Sequence, residues 1–315
     1  MWAVTVVDGR LEWREHPDPE PGKGEVLVDV RAAGVNGADM LQRRGFYPAP
    51  AGSPADIPGL ELAGEVVAVG PAVERFAIGD RVMAVVGGGG QAERAVVHER
   101  TALPVPDGVD WDAAGGFPEV FTTAHDALFT QCGLTLGEHA LVHGAAGGVG
   151  IAGVQLAAAA GARVTATVRN AALRDDVAAI GSAAVAVVAH DDFAGRGPYD
   201  VVLELVGAPN LPDDLRALAT GGRIVVIGVG GGAAAELDLL TLMAKRARLQ
   251  ASTLRARPLE QKADAAARVE AQVLPLLASG RVTVPVAARV PMEDAEAAYE
   301  RFAAGGKLGK IVLVR

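Results

Sequence analysis

A chain of 315 residues, half of them apolar, is long enough to build two domains with separate cores. Its net charge of −9 at pH 7 argues against nucleic acid as the main partner, because phosphate contacts need a basic face. The single cysteine, Cys132, excludes an intrachain disulfide framework and any cysteine-cluster metal site. No charge-free apolar run reaches membrane-spanning length, and the chain opens on strand-like residues rather than a signal peptide. A soluble, cytoplasmic protein acting on a small molecule is expected, with no nucleic-acid or membrane partner.

In chain order, the first hundred residues read as short strands punctuated by Gly, Pro and Asp. Trp2–Val7 comes first. Glu25–Ala32 alternates polar and apolar residues, as a half-buried strand does. Gly64–Gly70, Asp80–Val86 and Ala92–Val97 follow. Helical periodicity is scarce, so a compact β-barrel-like domain is expected. The glycine run 87–90 is expected to form a mobile loop. From Trp111 onward strands and helices alternate, which predicts a parallel sheet. Helix is expected over 112–114 and 120–129. Strands are expected at 140–143, 163–168, 184–188, 200–205, 223–228 and around 247–253. Helices fall between them at 149–160, 171–180, 212–219 and 236–245. One long helix over 258–279 comes next, then a β–α–β tail at Val290, 292–305 and 310–314.

The most informative stretch runs from Leu141-Val142-His143 into Gly144-Ala145-Ala146-Gly147-Gly148-Val149-Gly150. A helix pattern follows, Gly161 stops it, and Ala162–Val168 reads as a second strand. This βαβ unit has its turn where backbone N–H groups and a helix N-terminus face a pyrophosphate. Gly147 and Gly150 fill the second and third glycine positions of G-x-G-x-x-G, and Ala145 stands at the first. A plain strand–helix turn is the alternative; the flanking strands and helix favour dinucleotide binding by Ala146, Gly147, Gly148, Val149 and Gly150. The second strand ends in Thr167-Val168-Arg169-Asn170, with Arg174 one turn on. An NAD site usually places an acid there, and none stands at this tip. A guanidinium suits a 2′-phosphate through bidentate, charge-assisted bonds. Arg169, Asn170 and Arg174 therefore point to NADPH. The alternative is that both arginines are ordinary solvated helix-start residues, with Asp175 and Asp176 neutralising Arg174.

Several motifs stand in a fixed order. They are Ala33-Gly34-Val35-Asn36-Gly37-Ala38-Asp39 with Arg43, Gly45 and Tyr47-Pro48; Pro58–Gly64; Gly79-Asp80-Arg81-Val82; the glycine turn; Ser252-Thr253-Leu254-Arg255-Ala256-Arg257; and Gly309–Leu313. Through them the chain resembles, from end to end, the zinc-independent quinone oxidoreductase branch of the medium-chain dehydrogenase/reductase superfamily. The resemblance implies an α/β fold: a GroES-like β-barrel catalytic domain at residues 1–118 and 258–315, and a Rossmann doubly wound parallel-sheet NADPH-binding domain at 119–257. It implies that Thr123 approaches the nicotinamide, and that Val206, Gly207, Gly228 and Val229 flank its ribose at strand ends. Ser252, Leu254, Arg255 and Gly309 would close over the cofactor. It also implies a homodimer, in which the edge strand Ala247–Ala251 pairs with its twin.

Zinc-dependent relatives carry a cysteine where Asn36 stands and Gly-His-Glu where Gly59-Leu60-Glu61 stands. Zinc needs several Cys, His or carboxylate ligands converging on one point, so no metal site is expected, and alcohol oxidation is not the expected activity. A site built from His125, His143 and Asp39 is the disfavoured alternative.

The implied activity is hydride transfer from NADPH to a quinone. Quinones are electrophilic enough to need little acid catalysis, and the protein's task is to position the cofactor. The catalytic candidates are Asn36, Tyr47 and His125. Asn36 is expected either to donate its amide to a carbonyl oxygen or to fix the nicotinamide edge, against the alternative of a turn residue. Tyr47 is a proton donor or a pocket wall. His125 is a pocket residue able to titrate near neutrality, against the commoner partly exposed helix histidine. Asp39 and Arg43 are expected to pair locally, and Glu61 to be structural. The second reading is an NADPH-dependent enoyl reductase acting on α,β-unsaturated thioesters or ketones, weakened because Leu41 stands where some such relatives carry a catalytic tyrosine. A third, of another class, is a non-catalytic NADPH-binding protein.

Overall fold

The computed structural model describes residues 1–181 and 184–315. The chain divides into two compact units, Met1–Thr122 with Leu254–Arg315, and Thr123–Thr253. The expected boundaries were 118/119 and 257/258.

The first unit opens with an antiparallel hairpin of β1 (Trp2–Val7) and β2 (Arg10–Glu15). It continues through β3 (Glu25–Val35), helix α1 (Gly37–Arg43), β4 (Glu61–Val69), β5 (Arg81–Val85), β6 (Arg94–His98), β7 (Ala102–Pro104) and the short helix α2 (Trp111–Gly115). The unit boundary falls inside α3 (Pro118–His125). Helix α1 has too few residues to show a period; Asp39, in its first turn, accepts the Asn36 N–H at 2.8 Å and holds its start. The glycine run 87–90 is bonded rather than loose: Gly89 N–H donates to Ile57 O at 2.9 Å and Gly90 N–H to Gly59 O at 3.1 Å. Gly88, Gly89 and Gly90 are buried, because glycine lets this backbone pack where a side chain would not fit.

The second unit holds a π-helical turn (Asp126–Gln131), then β8 (His139–Val142), α4 (Gly148–Ala159), β9 (Arg163–Thr167), α5 (Arg174–Gly181), β10 (Val185–Val188), β11 (Tyr199–Glu204), α6 (Leu211–Ala217), β12 (Leu218–Val226), α7 (Leu239–Lys245) and β13 (Arg248–Ala251). The six strands lie in the order β10-β9-β8-β11-β12-β13, all parallel. The order reverses between β8 and β11, the point where open α/β sheets bind their ligands. Leu141, Val202, Leu218 and Ile224 fill the core beside Tyr199, whose hydroxyl donates to Phe193 O at 2.7 Å.

The chain then returns to the first unit with α8 (Leu259–Gln272), α9 (Leu274–Ala278), β14 (Val286–Pro291), α10 (Ala295–Ala304) and β15 (Lys310–Val314). The single helix expected over 258–279 is broken at Val273, since Pro275 has no N–H to continue the ladder. Strand β15 runs antiparallel to β3, giving the order β14-β15-β3-β4-β5-β7 with β6 also on β3. Val28, Val30, Val66, Val82, Tyr299, Ile311 and Leu313 make the core. No helix among the described residues is long and apolar enough to cross a membrane.

Candidate functional site

In the first unit the motif residues converge on Asn36, which is 6% exposed. Its Nδ2 donates to Glu61 Oε1 at 2.9 Å and, more weakly, to Gly34 O at 3.4 Å. Its Oδ1 accepts from Lys310 Nζ at 2.6 Å. Lys310 also donates to Val35 O at 3.2 Å and stands 2.6 Å from Glu61 Oε1. All three ammonium hydrogens are thus engaged, although Lys310 is only 3% exposed. The second oxygen of Glu61 accepts the Glu119 N–H at 2.8 Å. Gly34 keeps this network closed, since a Cβ there would meet Glu61 Oε1 at 2.1 Å. Glu61 is therefore more than a barrel residue, and Asn36 is held on both sides.

Asp39 and Arg43 do not pair. Asp39 is fully buried, accepting from Asn36 N–H and, at 3.2 Å, from Gly59 N–H, while Arg43 reaches Glu296 at 2.6 Å. Residues four apart on a short helix face the same side, but Asp39 faces the core and Arg43 the α10 side. Burial pushes the Asp39 carboxyl up to about 7 against the pull of those N–H groups and of Lys310. Tyr47 is half-buried, and its hydroxyl has no hydrogen-bond partner among the described residues. Burial pushes its phenol up, so it stays protonated. The Arg255 guanidinium packs 5.1 Å from the Tyr47 ring centroid and donates to Gly87 O at 2.7 Å and to Tyr47 O at 2.8 Å. That buried side chain, expected beside a cofactor, is thus committed to the loops around Tyr47. Leu41 is exposed. Leu254 is half-buried, and Gly309 is buried with φ +79°.

In the second unit the turn forms as its glycines require. Gly150 is where backbone passes closest: a Cβ would meet Gly144 O at 2.4 Å and Ala145 Cα at 2.7 Å. Gly147 is the N-cap of helix α4, which has no side-chain cap and no acidic residue in its first turn. The first N–H groups of a helix have no intrahelical acceptor, so those of Gly148, Val149 and Gly150 remain for an anion. At the tip of β9, Arg169 is exposed and makes no ion pair among the described residues. Arg174 donates to Val168 O at 3.2 Å and not to Asp175 or Asp176. Asn170 spends its side chain on the Ala172 N–H at 3.1 Å. Glu204 accepts from Val206 N–H and, at 2.7 Å, from Gly207 N–H, which fixes the loop after β11. Gly228 and Val229 follow β12, where the Gly228 N–H donates to Glu204 O at 3.2 Å. Ser252 N–H donates to Val226 O at 3.2 Å. Thr123 is buried. His125 is only 3% exposed, with its ring 5.1 Å from that of Phe129, so the partly exposed reading is corrected.

Two domain models match. One, the alcohol dehydrogenase GroES-like domain, covers residues 22–107, and the other, a zinc-binding dehydrogenase domain, covers 180–313. The quinone oxidoreductase of Rattus norvegicus is 33% identical over 94% of this chain and 91% of its own length. The chain belongs to the medium-chain dehydrogenase/reductase family. It is an oxidoreductase of that family, with a GroES-like unit and a Rossmann-type parallel sheet that takes a nicotinamide dinucleotide. The acryloyl-coenzyme A reductase of Metallosphaera sedula is 30% identical over 99% of both chains. A mycobacterial structure solved in complex with NADPH superposes with a TM-score of 0.86 at 28% identity, covering 100% of both chains.

Zinc does not fit the family's metal position in this chain. The donors there are an amide and one carboxylate, and an ammonium already sits 2.6 Å from each. Among the described residues, one group of potential metal ligands lies together, His143, Glu204 and Asp214, without His125 or Asp39.

Removing one partner of a buried ion pair leaves the other uncompensated, at about 3–5 kcal/mol. Lys310→Met and Glu61→Gln should each lower the urea midpoint strongly. The double variant should lose clearly less than the sum of the two. Simple additivity in the denaturation curves would show that the pair is not coupled.

Proposed function

We propose that this protein is an NADPH-dependent quinone reductase that works without a metal. The observation that carries the reading is the Lys310 ammonium locked between Asn36 and Glu61. It occupies the place of positive charge but has no donor left for a substrate oxygen. An acceptor reduced here must bring its own electrophilicity, and quinones do. The bound dinucleotide supplies a hydride from its reduced nicotinamide. With one proton from solvent, quinone and NADPH give hydroquinone and NADP. The Tyr47 hydroxyl, protonated and uncommitted, is the group of this chain offered to a quinone oxygen. Asn36 acts by holding its loop, since its own amide is engaged. His125 is buried beside Phe129.

NADPH rather than NADH is supported by the two arginines at the β9 tip, neither of them paired with a carboxylate among the described residues. The turn residues 146–150 would take the pyrophosphate, and Val206, Gly207, Gly228, Val229, Thr123 and Ser252 the nicotinamide half. A homodimer is supported by β13, an open sheet edge, together with exposed Leu239, Leu240 and Met243 on the neighbouring α7.

The enoyl reductase reading keeps one observation in its favour. The relative that reduces acryloyl-coenzyme A aligns along 99% of this chain, and Tyr47 could equally protonate carbon. Following NADPH absorbance with ortho- and para-quinones beside a crotonyl thioester decides between them. Fast quinone turnover with a silent thioester is expected, and the reverse would replace the first reading with the second. Replacing both Arg169 and Arg174 with alanine should raise KM for NADPH at least tenfold while moving KM for NADH little. Equal effects on both cofactors would remove the 2′-phosphate assignment. Sedimentation should give a dimer that Leu240→Glu with Met243→Glu converts to monomer; a monomeric native protein would end the dimer proposal.

A further inference from the structure

His143 follows β8 directly and lies between the last residues of its two neighbours, Thr167 of β9 and Glu204 of β11. It is fully buried. Its Nδ1 is 3.0 Å from Thr167 Oγ1 and its Nε2 is 2.7 Å from Asp214 Oδ1, with Glu204 Oε2 at 3.8 Å. The Phe193 ring closes the cluster edge-on at 4.6 Å. Asp214 is fully buried as well, and its Oδ2 has no partner. Glu204 spends one oxygen on the Val206 and Gly207 N–H groups and the other on Asn210 Nδ2 at 3.0 Å.

The proton count decides what this cluster is. A nitrogen and an oxygen 2.7 Å apart share a proton, and a metal ion between them would hold them further apart. Burial pushes the Glu204 carboxyl up, while the three N–H groups it accepts pull it back toward its anion. A second, ionised carboxylate beside it, with one oxygen unpartnered in the core, would be an uncompensated buried charge. A protonated Asp214 removes that charge and provides a donor where the orphaned oxygen now stands.

We propose that His143 and Asp214, both neutral and joined by a shared proton, are positioning residues that hold the three cofactor-bearing turns, 144–150, 168–170 and 205–207, in register beneath the dinucleotide. Three strand ends meet in these side chains at the point where the sheet order reverses, and each of the three continues into a turn assigned above to the cofactor. The proposal rests on the nicotinamide dinucleotide reading of unit 2. It also has an electrostatic consequence: ionising Asp214 adds negative charge under a turn built to receive a pyrophosphate. Burial pushes Asp214 up to about 7 and His143 down to about 4. The charged or titratable groups acting on the pair are Glu204 and Tyr199 of β11 and Asp213 of α6; Thr167 faces it from β9. With its carboxyl pushed up by burial, Asp214 should lose its proton as the pH rises from 6 to 9, and cofactor affinity should fall across that interval.

The test is calorimetric titration of the full chain with NADPH and NADH between pH 6 and pH 9, native protein beside Asp214→Asn and Thr167→Val. Asparagine mimics a neutral carboxyl. Asp214→Asn should bind like the native protein at pH 6 and stay flat to pH 9, while the native affinity falls about three- to tenfold. Thr167→Val should weaken dinucleotide binding severalfold with KM for the quinone unchanged. Tenfold weaker binding by Asp214→Asn at pH 6, or a pH response equal to the native one, would overturn the proposal. So would stoichiometric zinc in the purified protein. Should Asp214→Asn not fold, ¹⁵N spectra of histidine-labelled native protein still decide: His143 should remain neutral from pH 8 to pH 5, and an imidazolium at pH 7 refutes it. Binding of NADH but not NADPH would remove the NADPH assignment and leave this proposal standing. Native protein that binds neither dinucleotide would remove both.

Discussion

A buried ammonium persists only when its charge and its donors are both satisfied. Lys310 meets that demand through Glu61, Asn36 and the Val35 carbonyl. It is also the first residue of the last strand. Ile311–Val314 pairs with Ala32–Val35, so the far end of the chain is joined to its beginning by a strand ladder and by an ion pair at the ladder's end. Two stretches separated by more than a hundred residues become one sheet. Everything between Thr123 and Thr253 is then free to fold around a sheet of its own.

That second sheet handles its backbone donors in two opposite ways. After β11, Glu204 collects the Val206 and Gly207 N–H groups and closes the loop upon itself. After β8, the helix begins at a glycine with no cap. One loop is fixed and the other is left with unspent donors at the positive end of a helix. Gly150 makes the second arrangement possible, because its missing side chain lets the helix start against the Gly144 carbonyl. Satisfied and unsatisfied donors next to each other are what a rigid anion site requires.

Most of the architecture was legible because it is periodic. Alternation marked β3 and the βαβ rhythm marked the parallel sheet. The glycine turn, flanked by strand and helix, was readable down to its residues. What escaped was short or tertiary. Helix α1 has seven residues and no full period. The break at Val273 comes from Pro275, a single residue inside an otherwise continuous apolar pattern. The Asp39–Arg43 pairing failed because spacing along a helix says nothing about which side the core lies on. Lys310 and Glu61 are far apart in sequence, and only the pairing of β15 with β3 brings them together. One trace was visible: a lysine opening an otherwise wholly apolar strand needs a partner somewhere. His143 and Asp214 left no comparable trace, since each looks ordinary until the strand order is known.

The same lysine links fold to proposed chemistry. A metal at this position would polarise a carbonyl because it retains an open coordination site. An ammonium whose three hydrogens are spent on Glu61, Asn36 and Val35 is saturated, and it stabilises the loop carrying Asn36 instead of the substrate. In the proposed quinone reduction, the role of oxygen donor would pass to a group outside the network. Tyr47 is the candidate in this unit, half-buried, with its hydroxyl unbonded among the described residues and its ring braced by Arg255. A phenol is a weak acid, adequate for an acceptor whose reduced form is itself a stabilised oxyanion and insufficient for an unactivated ketone. In that proposal the range of acceptors would be set by how the buried charge is neutralised, before the shape of any pocket is considered.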